Sequence, residues 1–295
     1  MLWWIGLVLC TLAAARYWRE SRSVLQVDAS EVAWLVGSLI GIWALAIASW
    51  QQVMRFYGGE RIRLVDAARH LALLLLGKYL PGGIWGFAAR LADTATHRPL
   101  LHMVAAGIAE QWLGLASLSL LSIAGIAAAE TKEISWLLIA FLVPPIAIGT
   151  LVLVQACVRR FSQVLPEKLQ QFKALPATLA RRRPLWGAAV LSTLQQALTL
   201  ALVAGVAFSI FSLDVPFALG VAGTYGLAVV AGILVVFMPG GILVREGVFV
   251  ALSSHWLRPD QAIAFAAALR LVFTASDLFA GIMAGGLQLT RMRRV

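Results

Sequence analysis

The stretch Gly77-Lys78-Tyr79-Leu80-Pro81-Gly82-Gly83-Ile84, followed by Trp85, Gly86 and Arg90, decides the fold. Its centre recurs in Val236-Phe237-Met238-Pro239-Gly240-Gly241-Ile242, followed by Arg245, Glu246 and Gly247. Each copy sets Pro-Gly-Gly-Ile inside apolar sequence, where it breaks any helix. Proline removes a backbone donor and clashes with the preceding turn, and two glycines weaken helix preference at the next positions. In lipid, broken backbone survives only where protein or a water-filled cavity surrounds it. A matched pair of breaks in two halves of a transporter-like chain points to a central site.

The surrounding composition fits that setting. The 295 residues are 61% hydrophobic and 13% charged, with a net charge of +10 and a mean hydropathy of +0.86. A soluble domain carries about a quarter charged residues, and several apolar runs here reach the roughly 20 residues that cross a bilayer. The chain reads as an all-α polytopic membrane protein forming a single membrane domain over 1–295. The basic residues cluster between apolar runs, which suits topology and anionic headgroups rather than nucleic acid. Cys10 and Cys157 lie far apart and give neither a disulfide framework nor a metal pattern. The first apolar run, residues 2–15, lacks a basic n-region and reads as a retained short span.

In order, the expected spans are 2–15, 32–50, 100–129, 134–158, 185–211 and 261–289. The two Pro-Gly-Gly segments lie between the second and third spans and between the fifth and sixth. The loop 159–184 holds seven Lys or Arg against Glu167 alone, and the tail ends in Arg291, Arg293 and Arg294. The positive-inside rule makes both cytoplasmic. The second Pro-Gly-Gly then sits at the tip of a re-entrant hairpin dipping from outside, and the first in one dipping from the cytoplasm. The connection 16–31 lands outside despite Arg16, Arg19 and Arg22.

Pro239 lies 158 residues after Pro81, and that shift carries 32–50 onto 190–208 and 100–128 onto 258–286. Both halves, about 32–128 and 185–289, read span, broken hairpin, long span. The expectation is six spans and two re-entrant hairpins in an inverted-topology repeat with both termini cytoplasmic.

Together, Gly77 to Gly83 with Arg90, and Pro239-Gly240-Gly241 with Arg245-Glu246-Gly247, resemble the two signature segments of the lysylphosphatidylglycerol synthase transmembrane region family of flippase-like proteins. The resemblance runs from about residue 30 to the end. Some members of that family join a flippase domain to a soluble aminoacyl transferase, and others stand alone beside envelope lipids or surface glycans. This chain ends at Val295 without a transferase, so the resemblance implies a stand-alone member with a membrane activity and no enzyme chemistry. Leu243-Val244 stand where a glycine is common in the second motif.

The candidate substrate-binding residues are the breakers Pro81, Gly82, Gly83, Pro239, Gly240 and Gly241 with the charged Lys78, Arg90, Glu110, Arg245, Glu246, Arg270 and Asp277. Charges at membrane depth face the interior and mark pathways, and helix ends at the breaks offer N–H donors to an anion. Against this, Lys78 and Arg90 could snorkel, and Arg245 and Glu246 could pair locally. Glu110 and Arg270 each lie about ten residues into a long helix, so near mid-depth. There a charge costs roughly 2.5–3.5 kcal/mol on insertion scales, so they either bind each other across the halves or line a substrate cavity. Asp277, two turns on from Arg270, is a proton or counter-ion candidate. Tyr225 and Gly226, with Gly220, Gly223 and Gly232, make the helix before the second break small-sided and read as a close-packing face. Trp3, Trp4, Trp18, Trp34, Trp50, Trp136, Trp186 and Trp256 read as interfacial anchors. With His70, His97, His102 and His255 scattered, no metal or cofactor is expected.

The expected function is transport of an anionic phospholipid or polyprenyl-linked lipid between leaflets of a bacterial plasma membrane. The alternative is a non-transporting partner that docks a glycosyltransferase or other envelope enzyme through the basic loop. A membrane-embedded transferase is the weakest reading, since no acid–base constellation stands out.

Overall fold

The computed structural model describes residues 29–80, 84–92, 99–161, 182–235, 241 and 243–292. Among these, every regular element is helical. Helix α1 spans Ala29–Gly58, α2 Leu64–Gly77, α3 Trp85–Leu91 and α4 Leu100–Thr131. A 3₁₀ helix, Ile134–Phe141, leads into α5, Val143–Phe161. Then come α6, Arg182–Phe211, α7, Val215–Leu234, α8, Val244–Ser253, and α9, Pro259–Met292. The breakers Pro81, Gly82, Gly83, Pro239 and Gly240, and the expected first span with Trp3, Trp4 and Trp18, lie outside the described residues.

Five helices are long and apolar enough to cross a bilayer: α1, α4, α6, α7 and α9. The outward faces agree, with Ile40, Phe208, Phe279 and Ile282 all exposed on spans, which suits lipid as the surrounding solvent. The protein is an all-α polytopic membrane protein. Two expectations change in detail. The segment read as one span over 134–158 is bent by 48° between the 3₁₀ helix and α5. Pro144 and Pro145 explain the break, because proline fits only a first helical turn, where its missing N–H costs nothing. The segment entering the second Pro-Gly-Gly is, in α7, a 20-residue helix that meets the length and hydropathy of a full span.

The helices meet through small residues and interhelical hydrogen bonds, as association in lipid requires. Helix α4 lies along α7. There a Cβ on Gly223 would stand 2.4 Å from the carbonyl oxygen of Ser122, and one on Gly226 2.0 Å from the Ser122 hydroxyl. Of the small-residue face read from the sequence, Gly220, Gly223 and Gly226 make this contact, while Gly232 meets Gly241 instead. Helix α1 lies along α6, joined by Ser49 Oγ donating to the Ala188 carbonyl at 3.2 Å. Ser117 and Thr193 bridge α4 to α6 at 3.2 Å. Apolar packing forms two clusters, one around Tyr225, Phe249 and Phe265, the other around Trp50, Met54 and Leu113.

Each Pro-Gly-Gly segment is flanked by a packed pair of helices, α2 with α3 and α7 with α8. The first helix of each pair also packs on a long helix from the other half: α2 on α9, and α7 on α4. This cross-packing brings charges from both halves together.

Candidate functional site

The larger cluster forms where the end of α2, the start of α8 and the middle of α9 meet. Helix α9 presents Arg270, Thr274 and Asp277, spaced four and three apart and so on one face. Asp277 is buried, its side chain 7% exposed, and holds Lys78 Nζ at 2.6 Å. The Tyr79 hydroxyl lies 2.5 Å from Asp277 Oδ2 and 3.2 Å from Thr274 Oγ1. Thus one carboxylate from the second half accepts from two donors beside the first break. Arg270 donates to Glu246 Oε1, while the other oxygen of Glu246 accepts the Leu243 backbone N–H at 2.7 Å. Glu246 therefore caps α8 and neutralises Arg270 at once, a use of its position in the first turn.

Arg245 completes the cluster and differs from its neighbours. Its guanidinium lies 4.4 Å over the Tyr225 ring, an arrangement that attracts a cation to the ring face. Arg270, Glu246, Tyr79 and Asp277 lie within electrostatic range of it. Yet both acids are engaged by other cations, and Arg245 makes no ion pair among the described residues. Adjacent helical residues do not face each other, which is why Glu246 turns to Arg270 and leaves Arg245 open. The Tyr225 hydroxyl is buried without a hydrogen-bond partner among the described residues. The cluster holds Lys78, Arg245 and Arg270 against Asp277 and Glu246, one positive charge in excess.

Arg90 and Glu110 belong to a second network. Arg90, its side chain 1% exposed, pairs with Glu110 at 2.5 Å, donates Nε to the His70 carbonyl at 3.2 Å and lies 3.9 Å over the Trp50 ring. Trp50 Nε1 donates to His70 Nδ1 at 3.1 Å.

Two readings from the sequence are corrected here. Glu110 and Arg270 do not seek each other: each takes a partner from the short helix after its own half's break, Arg90 on α3 and Glu246 on α8. Trp50 is no interfacial anchor but fully buried as the platform for Arg90. Trp34, Trp136 and Trp186 are exposed. Nor does Arg90 snorkel. Of the candidate residues, Lys78, Arg245, Glu246, Arg270 and Asp277 come together, while Gly241, in the turn before α8 with φ +67°, packs on Gly232 of α7. Five residues of these networks were not among the sequence's site candidates: Tyr79 and Thr274, together with Tyr225, Trp50 and His70, which were read as packing, anchoring and scattered residues. Thr274 was signalled by its place between Arg270 and Asp277 on one helical face, and Tyr79 by adjacency to Lys78. Nothing local in the sequence signals Tyr225, since its role depends on the crossing of α7 with α8.

A family model described as "Lysylphosphatidylglycerol synthase TM region" matches residues 3–281. No curated protein matches the chain, and no solved structure does. The match covers nearly the whole sequence, so the chain belongs to the lysylphosphatidylglycerol synthase transmembrane region family.

Proposed function

We propose that this member of the lysylphosphatidylglycerol synthase transmembrane region family moves an anionic lipid between leaflets, its headgroup held at Arg245. The carrying observation is the charge pattern of the cluster. Lys78 is answered by Asp277 and Arg270 by Glu246, and Arg245 is a cation with no acid of its own among the described residues. A charge held at membrane depth is costly and marks a pathway; a phosphate oxyanion would neutralise this one. A planar guanidinium suits it, because its forked donors can bind two phosphate oxygens at once. The Tyr225 hydroxyl, buried without a hydrogen-bond partner among the described residues, stands ready as a neighbouring donor. The acyl chains would stay in the bilayer while the headgroup crosses between the halves.

The inverted repeat belongs to the same proposal. Shifted by 158, α1 falls on α6, α2 on α7, α3 on α8 and α4 on α9, each within seven residues at either end. The pairing of α1 with α6, and the exchange of α2–α9 for α4–α7, are what a pseudo-twofold axis would generate. With the basic segments cytoplasmic, the two broken hairpins would dip from opposite faces of a bacterial plasma membrane, both termini inside. Alternating access would then be a rocking of the halves about the cluster.

The test is the purified chain in liposomes containing fluorophore-labelled phosphatidylglycerol, with an impermeant quencher outside. Transport exposes label from both leaflets and takes the quenched fraction well past one half. A plateau at one half, equal to empty liposomes, would refute transport and favour the docking-partner alternative.

A further inference from the structure

The helix pairs flanking the two breaks share a plan that the Pro-Gly-Gly motifs do not reveal. In each, two glycines nine residues apart touch: Gly77 of α2 with Gly86 of α3, and Gly232 of α7 with Gly241 in the turn before α8. A Cβ on Gly77 would lie 2.2 Å from the Cα of Gly86, and one on Gly241 2.6 Å from the Cα of Gly232. In each, an arginine stands four residues after the second glycine, Arg90 and Arg245. In each, that guanidinium covers an aromatic ring, Trp50 at 3.9 Å and Tyr225 at 4.4 Å. The two arginines thus share a spacing from a glycine contact and an aromatic platform, Arg90 in the last turn of α3 and Arg245 in the first turn of α8.

What differs is the acid. Glu110 pairs with Arg90 at 2.5 Å, whereas Arg245 has no such partner among the described residues. Even so, Arg90 is not satisfied. Its Nε serves His70 and its Nη1 serves Glu110, but Nη2 is buried with no hydrogen-bond partner among the described residues. Buried donors are nearly always paired, and each exception calls for an explanation. A guanidinium with Nη1 against one carboxylate oxygen and Nη2 idle is matched by an oxyanion that spans both nitrogens.

We infer that Arg90 is a second oxyanion station, for a phosphate or phosphodiester group, and that the Glu110 carboxylate is a built-in stand-in for that anion. The inference takes its ligand chemistry from the proposed role of Arg245. A headgroup at the first-half station would displace Glu110, so the internal acid sets the first station weaker than the second.

Native mass spectrometry of the purified full chain, titrated separately with dioctanoyl phosphatidylglycerol and with inorganic phosphate, tests this. Wild type should hold one lipid, lost in Arg245→Gln. Glu110→Gln should hold two, and Arg90→Gln added to it should return the count to one. Glu110→Gln with Arg245→Gln should hold one. An extra equivalent gained with phosphate as well as lipid assigns the station to the phosphate group itself. A gain with lipid alone assigns it to the whole headgroup. No gain with either, or a gain that survives Arg90→Gln, overturns the inference. Should Glu110→Gln fail to fold, Glu110→Asp, which withdraws the carboxylate by one methylene, should bind the second lipid at least tenfold more tightly than wild type, and no tightening overturns the inference. A wild type that binds nothing, while Glu110→Gln binds one lipid through Arg90, would sink the Arg245 reading and keep this one.

Discussion

At the scale of residues, the protein places ion pairs where a bilayer makes unpaired charge expensive, and their burial ranks their importance. Arg90 and Glu110 are 1% and 14% exposed. Breaking such a pair leaves one buried charge uncompensated, at a cost of about 3–5 kcal/mol, whereas removing both partners can approach neutrality. Arg90→Ala or Glu110→Ala alone should therefore lower the thermal unfolding midpoint in detergent markedly, and the double replacement should recover most of the loss. A double mutant no more stable than either single one would contradict the pairing. Lys78 is 41% exposed, and partly exposed pairs contribute about 1 kcal/mol or less. Asp277 also accepts from Tyr79, so Asp277→Asn should destabilise more than Lys78→Ala in the same melting experiment. Which residues carry charge at depth was legible in the sequence, because lysine, arginine and acids stand out against apolar runs. Who pairs with whom was not. Equal depth suggested Glu110 with Arg270, but depth fixes only one coordinate, and the short helix after each break supplies an opposite charge closer at hand.

At the scale of elements, the helix–helix crossings rest on glycines whose Cβ would collide with backbone. Leu74 lies 2.7 Å, by its carbonyl oxygen, from where a Cβ on Gly86 would stand, and backbone cannot step aside as a flexible side chain can. Gly86→Ala should cost about 1–3 kcal/mol through overpacking and spread α2 from α3, carrying Arg90 off Glu110. Gly149→Ala meets nothing within 4 Å and should be neutral or slightly stabilising, since alanine favours helix by up to about 1 kcal/mol over glycine. Folded yield and melting temperature of the two variants give the comparison, and equal losses would contradict the crossing. Most helices were legible from apolar runs of spanning length. The bend before α5 was legible only in hindsight from Pro144 and Pro145, because hydropathy is blind to direction. The glycine crossings were hidden for a different reason: Gly77 and Gly86 flank a louder motif, and only the fold shows that they touch.

At the scale of the whole molecule, the positive-inside rule expects Asp214 outside the membrane and Arg182 on the cytoplasmic side. After Cys10 and the exposed Cys157 are replaced by serine, a cysteine at Asp214 should react with an impermeant maleimide from outside the cell. One at Arg182 should react only after the membrane is opened, and the reverse pattern would overturn the inverted repeat. The order of elements was legible because apolar runs of spanning length alternate with short charged segments and the two Pro-Gly-Gly motifs interrupt the pattern. The open cation at Arg245 was not, because its availability depends on Glu246 turning to Arg270 and Asp277 turning to Lys78. If that open cation holds the headgroup, lipid movement must depend on the guanidinium of Arg245. In liposomes carrying labelled phosphatidylglycerol, initial rates of quencher access are compared for wild type, Arg245→Lys and Arg245→Gln at equal amounts of folded protein. Arg245→Gln should fall to the rate of empty liposomes. Arg245→Lys should keep only part of the wild-type rate, since a point charge lacks the guanidinium fork. An Arg245→Gln protein that moves the lipid as fast as wild type would contradict a headgroup site at Arg245.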